Sequence, residues 1–375
     1  MHVSTLIRLR NHRKKLIVTI FKVLLASLLF VLLYYQLFRG DKIRLPELYI
    51  QIKACLSWYN LPLVLGVIFL MPINWALETK KWLKLMERIE VLPFGKAFKA
   101  ILAGLTFSLF TPNRIGEYGG RILMVSDGNR VKSVFATLVG SFSQWIVLFC
   151  SGFLGLGIFM IFQQKELGLS HGLLFLGIAL LVALGIFLLI AYFNIPWIIH
   201  LTQKMRWSYA WLGKIFKAEK KSGQWLRAKF QWLRGGLLKI QQNIFLYYNR
   251  KELSLALLFS FLRYATYSIQ YMLLLYFFGS SLTVLEHILG IVIIYLLQTG
   301  IPVPPSTGLL MRGNIALGVF GFFVGTSANL TMPILAATFA LWLINVVLPA
   351  IVGLFFIVRV QHMGSFFGKK EKQLN

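Results

Sequence analysis

The charged residues best suited to binding an anion lie in the stretch FTPNRIGEYGGR, residues 110–121, between two apolar runs. If a helix begins after Pro112, then Arg114, Glu117 and Arg121 fall at positions i, i+3 and i+7 on one helix face. Glu117 can then pair with one arginine, which leaves the other guanidinium for an anion. Backbone amides at the start of such a helix also favour a phosphate group. The stretch predicts a substrate-binding site, although charges that end a hairpin in headgroup water would have the same sequence.

Three glycines accompany these charges, Gly116, Gly119 and Gly120. A glycine brings no side chain, so a neighbouring helix or a lipid headgroup can approach the backbone closely. We therefore expect a tight packing contact or a ligand contact along this part of the chain.

A second interrupted stretch, QTGIPVPPSTGLLMRGNIALG, covers residues 298–318. Its prolines stop one half-helix, and Arg312 is expected about two turns into the next one. Apolar residues continue on both sides, which an ordinary extracellular loop would not need. The pattern favours a substrate cavity, and a helix kink that serves only packing is the alternative.

The stretch NWALETKKW ends an apolar run and carries Asn74, Glu78 and Lys81 on one helix face. Glu78 and Lys81 are three residues apart, so they can form an ion pair. The same residues would suit an ordinary helix end, where tryptophans form an aromatic belt and lysines meet headgroups. Site and anchor both remain open for this stretch.

Arg263 lies about three turns into the apolar run LLFSFLRYATYSIQYMLLL. A cation at that depth needs an anionic partner or a water-filled cavity, and such residues are usually functional. The alternative is a side chain that extends along the helix to reach the nearer interface.

We predict no catalytic residue, metal ligand or cofactor, because the sequence contains no Gly-rich phosphate loop, nucleophile elbow, zinc-ligand spacing or paired carboxylates. Glu117 or Glu78 could still serve as a base in a membrane-embedded transferase. The candidate substrate-binding residues are Asn74, Glu78, Lys81, Arg114, Glu117, Arg121, Arg263 and Arg312.

The composition indicates what kind of protein must position these residues. The chain has 375 residues, of which 58% are hydrophobic and 14% charged, with a mean hydropathy of +0.72. Soluble domains carry about 25% charged residues, so the chain is predicted to be an integral membrane protein. The net charge of +27 lies mostly beside apolar spans. Anionic lipid headgroups and the positive-inside rule explain it better than nucleic acid, which we do not expect as a partner.

Hydropathy predicts an all-α polytopic protein with six transmembrane helices and two re-entrant helical hairpins. Two apolar stretches, Ala97–Val125 and Leu285–Phe323, are each broken by a Pro/Gly turn into two helices too short to span a bilayer. Six other segments have the roughly 20 apolar residues that a span requires. They are Leu16–Phe38, Trp58–Leu77, Ser133–Phe162, Gly172–Phe193, Leu253–Phe278 and Met332–Val358.

Loop charge predicts the orientation of the chain. The N-terminal RLRNHRKK, the C-terminal KKEK and the connection 195–251 are all strongly basic, and this connection has twelve Lys and Arg with Glu219 as its one acidic residue. The protein is therefore expected in a plasma or inner membrane, with both termini on the cytoplasmic side. The 195–251 segment is predicted to lie as basic amphipathic helices at the cytoplasmic interface, with a solvated loop as the alternative.

Within a single membrane domain, residues 1–375, the same order of elements occurs twice. Span, broken hairpin and span describe residues 58–162 and again residues 253–358. The two units begin on opposite sides of the membrane, as in the inverted repeats of secondary transporters. This arrangement would bring the two breaks together at one binding site.

The residues of the two hairpins resemble the lysylphosphatidylglycerol synthase transmembrane-domain family. In that family the first hairpin carries Pro-x-Arg-x-Gly-Glu-x-x-Arg; here it reads PNRIGEYGGR, with Arg121 one residue late. Asn74-Trp75, Glu78 and Lys81-Trp82 add to the resemblance. The second hairpin usually has Pro-x-Pro-Gly-Gly and then a Glu; here PVPPSTGLLMRG places Arg312 near the acidic position.

The resemblance implies a flippase-like protein that moves a phospholipid or another amphiphile between leaflets, with membrane lipids, anionic ones above all, as partners. We expect a stand-alone member without the aminoacyl-tRNA-dependent synthase domain of some relatives. A transferase acting on a lipid-linked sugar or polyprenyl phosphate is the alternative, and a non-catalytic scaffold is a third. The sequence leaves the oligomeric state open, and a homo-oligomer is one option.

Overall fold

The structure is a computed structural model, and every element that it describes is helical. It describes residues 50, 52–109, 111, 114–164, 166–194, 248–299, 308–324 and 330–359. The helices are α1 Leu61–Met86, α2 Phe94–Ser108, α3 Gly116–Ile122, α4 Arg130–Phe162, α5 His171–Phe193, α6 Arg250–Phe277, α7 Val284–Thr299, α8 Leu309–Val324, α9 Thr331–Trp342 and α10 Leu348–Arg359. A 3₁₀ turn, Asp127–Asn129, precedes α4, and a π turn, Leu343–Val347, joins α9 to α10.

Four of the described helical segments are long and apolar enough to cross a membrane. They are Leu61–Met86, Asp127–Phe162, His171–Phe193 and Thr331–Ile357. Each corresponds to one of the six predicted spans, with ends shifted by up to nine residues.

Helix α6 has 28 residues and covers nearly all of the predicted span Leu253–Phe278. It is not among the four apolar candidates, in keeping with the charged and polar side chains along it, which include Arg263 and Gln270. The predicted first span, Leu16–Phe38, lies outside the described residues, as does nearly all of the basic segment 195–251.

The first hairpin consists of α2, with 15 residues, and α3, with 7 residues. Both are shorter than the roughly 20 residues that a span needs. The two helices cross at Gly104 and Gly120, where a Cβ added to Gly120 would lie 2.3 Å from the Gly104 Cα. Gly116 is equally close to α2, because its added Cβ would lie 2.3 Å from the Phe107 carbonyl oxygen. The predicted close approach is therefore present at two of the three glycines, whereas Gly119 faces open space.

The two halves of the chain contact each other reciprocally. Helix α1 of the first half packs along α6, which opens the second half, more extensively than any other described pair. Helix α2 of the first hairpin packs on α10, and α7 of the second hairpin packs on α4. Both contacts are tight at a glycine: Gly353 lies against the Leu102 carbonyl, and Gly155 lies against the side chain of Val292.

Polar side chains fix the turns beside the first hairpin. Glu90, between α1 and α2, accepts hydrogen bonds from Ser126 Oγ at 2.6 Å, Ser126 N at 3.1 Å and Asn129 Nδ2 at 3.3 Å. Partial burial by itself would raise the pKa of Glu90, but these hydrogen bonds outweigh it and hold the pKa below its ordinary value. The ionised carboxylate thus ties the start of α2 to the turn that precedes α4.

Helix α5 is apolar around its whole circumference and contributes little to the core. Leu176, Phe175 and Leu180 are each at least 65% exposed. Of the residues of α5, only Ala191 and Tyr192, near its end, are buried. A helix that is apolar on every side is stable in contact with lipid, whereas exposure of so much apolar surface to water would be unfavourable. The side of α5 that points away from the rest of the protein is thus a lipid-facing surface.

Candidate functional site

A buried carboxylate on α1 joins three helices. Glu78 Oε2 lies 2.8 Å from Lys81 Nζ and 3.1 Å from Arg263 Nη1, and Glu78 Oε1 lies 2.8 Å from Arg121 Nη2. The Glu78 side chain is only 5% exposed. The predicted Glu78–Lys81 pair is confirmed, but Glu78 also binds two cations that are distant in the sequence.

Arg121, on α3, connects this carboxylate to a second one. Its Nη2 donates to Glu78 Oε1 and also to Glu117 Oε1. The guanidinium also lies 5.7 Å from the centre of the Trp82 ring. Glu78 and Glu117 thus share one guanidinium nitrogen, a contact that no sequence spacing indicated.

Arg263, on α6, has partners on two other helices. Its Nε donates to Asn74 Oδ1 at 3.1 Å, and its Nη1 donates to Gln144 Oε1 at 3.5 Å. Its guanidinium also stacks over Trp75 with the carbon 4.9 Å from the ring centre. Together with the Glu78 pair, these contacts show an arginine held inside the protein, so the alternative of a side chain extended to the interface is wrong.

Two residues of this network were missed by the sequence analysis, Gln144 and Asn345. Asn345 Oδ1 accepts a hydrogen bond from Asn74 Nδ2 at 3.2 Å, and the Asn345 side chain is fully buried. It lies in the π turn between α9 and α10, and π turns inside helices are frequent at functional sites. A neutral amide in an apolar run gives a weak sequence signal, and the π turn gives none.

Arg114 occupies the exposed edge of the network. Its Nε lies 3.6 Å from Glu117 Oε2, and its side chain is 40% exposed. The backbone of Arg114 has φ +58°, which is left-handed and rare for a residue with a side chain. The prediction that Arg114 lies on the helix was therefore wrong, since α3 begins at Gly116. Phe110, Pro112 and Asn113 lie outside the described residues.

Of the two arginines that contact Glu117, Arg114 is the one available to a ligand, because Arg121 is only 2% exposed and binds both carboxylates. The sequence allowed Glu117 to pair with either arginine and left the other one free. In the structure Glu117 contacts both of them, closely for Arg121 and more loosely for Arg114.

Arg312 is the one charged candidate residue without an ion pair among the residues that the structure describes. It lies in the first turn of α8, which begins at Leu309, so the prediction of two turns was wrong. The side chain is half-buried and is within electrostatic range of Arg114, Tyr267 and Tyr295. The two hairpins thus bring two arginines near each other. Residues 300–307, between α7 and α8, lie outside the described residues.

Positive charge exceeds negative charge in this cluster. Among the described residues, four cations are joined by ion pairs to two carboxylates: Lys81, Arg114, Arg121 and Arg263 to Glu78 and Glu117. Four buried N–H donors in or near the cluster have no described hydrogen-bond partner: Trp75 Nε1, Arg114 Nε, Arg121 Nε and Asn345 Nδ2. Buried donors and an excess of cations both favour a ligand that is rich in oxygen and negatively charged.

Within the described part of the chain, no three His, Cys, Asp or Glu side chains lie together in a way that could hold a metal ion. The guanidinium groups of the cluster have the chemistry to bind an anion, and the two carboxylates contact the arginines directly.

A family of known proteins matches the sequence. The profile of the family described as "Lysylphosphatidylglycerol synthase TM region" matches residues 19–347, which is most of the chain. No curated protein matches the chain. The family match and the apolar helices together identify a multi-pass membrane protein.

Proposed function

The chain belongs to the lysylphosphatidylglycerol synthase TM region family, and from that premise we propose that it is a lipid flippase. It moves an anionic or zwitterionic phospholipid, with or without an aminoacyl group on its head, between the two leaflets. It performs no covalent chemistry and is not an enzyme. Its partners are membrane lipids, most of all anionic ones.

The observation that carries this proposal is the excess of positive charge buried among apolar helices. A cation inside a membrane protein is costly unless an anion or trapped water compensates it. Glu78 and Glu117 compensate part of the charge of Lys81, Arg121 and Arg263, and Arg114 remains accessible. The phosphate of a lipid headgroup supplies the missing negative charge, and a guanidinium binds it with two parallel hydrogen bonds.

We propose the six-span layout for the membrane domain, with two re-entrant hairpins in an inverted repeat over residues 58–162 and 253–358. The lengths of the hairpin helices support it, because α2 and α7 measure only ~22–24 Å at 1.5 Å per residue, against about 30 Å of hydrocarbon. The reciprocal packing of α2 on α10 and of α7 on α4 also supports it. Loop charge supports cytoplasmic termini in a plasma or inner membrane.

In this mechanism the headgroup crosses through the protein while the acyl chains stay in the bilayer. Arg114 receives the phosphate, since it is the most exposed cation of the cluster. Arg121 and Arg263 provide the deeper charge, and Arg312 provides a cation from the second hairpin. Glu117 holds the arginines in place, or binds a cationic headgroup when the lipid is aminoacylated.

Lipid movement in reconstituted vesicles tests the proposal. We expect wild-type protein to exchange fluorescent phosphatidylglycerol between leaflets, measured by chemical quenching of the outer-leaflet label. Arg114→Ala and Glu117→Ala should slow the exchange about 10-fold to 100-fold, because each removes a charge-assisted hydrogen bond worth about 1.5–3 kcal/mol.

Lys84→Ala and Glu87→Ala form the matched control. These residues form another Glu/Lys ion pair with i,i+3 spacing, but their side chains are 34% and 57% exposed. Exchange at the wild-type rate is expected for both control variants. If Arg114→Ala and Glu117→Ala also exchange lipid like the wild type, the site is assigned to the wrong residues.

A membrane-embedded transferase is the second candidate function, and the shared contact of Glu78 and Glu117 with Arg121 favours it. Paired carboxylates are typical of acid–base chemistry on sugars and phosphates. Incubation with a polyprenyl phosphate and a nucleotide-sugar donor, followed by mass spectrometry of the lipids, separates the two functions. A product of changed mass supports the transferase, whereas leaflet exchange without covalent change supports the flippase.

A further inference from the structure

A wall of tyrosines lies between α6 and α7, beside the charged cluster. The Tyr295 ring, on α7, is 5.5 Å from the Tyr267 ring and 6.4 Å from the Tyr271 ring, both on α6. Helix α8 packs against the same wall, because the Phe320 ring lies 6.4 Å from Tyr271. Aromatic contacts of this kind hold side chains in fixed positions.

The hydroxyl group of Tyr295 is buried without a partner in the described part of the chain. Tyr295 is only 8% exposed, and its hydroxyl has no hydrogen-bond partner among the described residues. The hydroxyl of Tyr271 contacts Thr338 Oγ1 at 2.6 Å and is therefore satisfied. A buried hydroxyl without a partner is costly, so Tyr295 offers its hydrogen bond to a group that the chain itself does not supply.

Arg312 lies on α8, which packs against α7, the helix that carries Tyr295. It is within electrostatic range of Tyr267, Tyr295 and Arg114, and none of the described carboxylates lies within ion-pair distance. Glu286 also lies on α7, at the start of the helix. Its carboxylate accepts hydrogen bonds there from Thr283 N and Thr283 Oγ1. Among the described residues, the Arg312 guanidinium thus interacts electrostatically with phenol groups and another cation, and no carboxylate forms an ion pair with it.

We propose that Arg312, Tyr267 and Tyr295 form a second anion subsite, distinct from the cluster around Glu78, that binds a phosphate group. A guanidinium and phenol hydroxyls supply the hydrogen-bond donors that a tetrahedral oxyanion accepts. This inference rests on the proposed function, which it refines into a two-step path. Arg114 is near both subsites, so a phosphate leaving one of them remains within reach of a cation while it moves to the other.

Titration calorimetry on the full chain in detergent tests the subsite with two soluble probes, dihexanoyl phosphatidic acid and inorganic phosphate. We expect Arg312→Gln to weaken binding about tenfold or more and Tyr295→Phe about threefold to tenfold, since each removes a hydrogen-bond donor. Arg312→Lys keeps the positive charge and should retain more of the affinity than Arg312→Gln.

Tyr271→Phe is the matched control, because it removes the neighbouring hydroxyl that already has a partner in Thr338. Its affinity should stay within about twofold of the wild-type value. Equal binding by wild type, Arg312→Gln and Tyr295→Phe would overturn the subsite, as would a wild-type chain that binds neither probe.

The two probes also identify the source of the phosphate. Binding of dihexanoyl phosphatidic acid without binding of inorganic phosphate supports a lipid headgroup, and a preference for inorganic phosphate supports a free anion. The binding experiment and the lipid-exchange experiment can fail independently of each other. A wild-type chain that exchanges no lipid, but whose phosphate binding depends on Arg312, would retain the subsite and refute transport.

Discussion

Glu78 shows how one side chain can connect residues that are far apart in the sequence. It is buried on α1 and compensates Lys81 on its own helix, Arg121 on α3 and Arg263 on α6. Three buried cations would repel one another without it. The carboxylate is therefore expected to stabilise the fold as well as the candidate site.

Replacement of Glu78 by Gln should destabilise the protein by about 3–5 kcal/mol, because it leaves buried cations without their anion. Denaturant unfolding in detergent, followed by far-UV circular dichroism, measures the change. Glu87→Gln is the control, since it removes a carboxylate from an exposed ion pair whose contribution is about 0–1 kcal/mol. Equal unfolding curves for the two variants would show that Glu78 does not hold the helices together.

At the scale of the elements, the first hairpin depends on glycines that permit its two helices to touch. The added Cβ of Gly120 would lie 2.3 Å from the Gly104 backbone, whereas the added Cβ of Gly119 would meet nothing within 4 Å. The close crossing places α3 so that Arg121 reaches Glu78 on α1. The hairpin therefore positions the site through backbone contact.

Gly120→Ala should separate α2 from α3 and destabilise the protein by about 1–3 kcal/mol, as overpacking does in other cores. Gly119→Ala should be neutral or stabilise the helix by up to ~1 kcal/mol, because alanine favours helix more than glycine does. The melting temperatures of the two variants in detergent provide the comparison. Similar losses in both would mean that helix propensity, not the crossing, decides stability here.

At the scale of the whole molecule, the prediction concerns which side of the membrane each turn faces. The inverted repeat requires the turn before α4 and the turn before α7 to lie on opposite sides. Gly128 and Ser281 are exposed residues in these two turns, and Gly128 has open space for a Cβ.

Single cysteines at Gly128 and Ser281, in a chain whose Cys55 and Cys150 are replaced by serine, test this arrangement. A membrane-impermeant maleimide added to intact cells should label Ser281→Cys and leave Gly128→Cys unlabelled until the membrane is opened. Labelling of both residues from the same side would contradict the inverted repeat.

Several features of the molecule followed from sequence alone because they depend on local spacing. Apolar runs of about 20 residues identified the four candidate spans, and Pro and Gly identified the end of α2. The i,i+3 spacing predicted the Glu78–Lys81 pair. These features are decided by neighbours within a few helical turns, so their residue types and intervals contain the necessary information.

The tertiary structure decided which distant side chains meet. It placed Glu117 and Glu78 on one guanidinium, joined Arg263 to Gln144 and Asn74, and brought Arg312 near Arg114. No local pattern contains these contacts, because they depend on how α1, α3, α6 and α8 pack. The left-handed backbone of Arg114 likewise depends on the turn around it, since the residue type by itself favours helix or strand. The charged residues were therefore evident from the sequence, but their ion pairs required the fold.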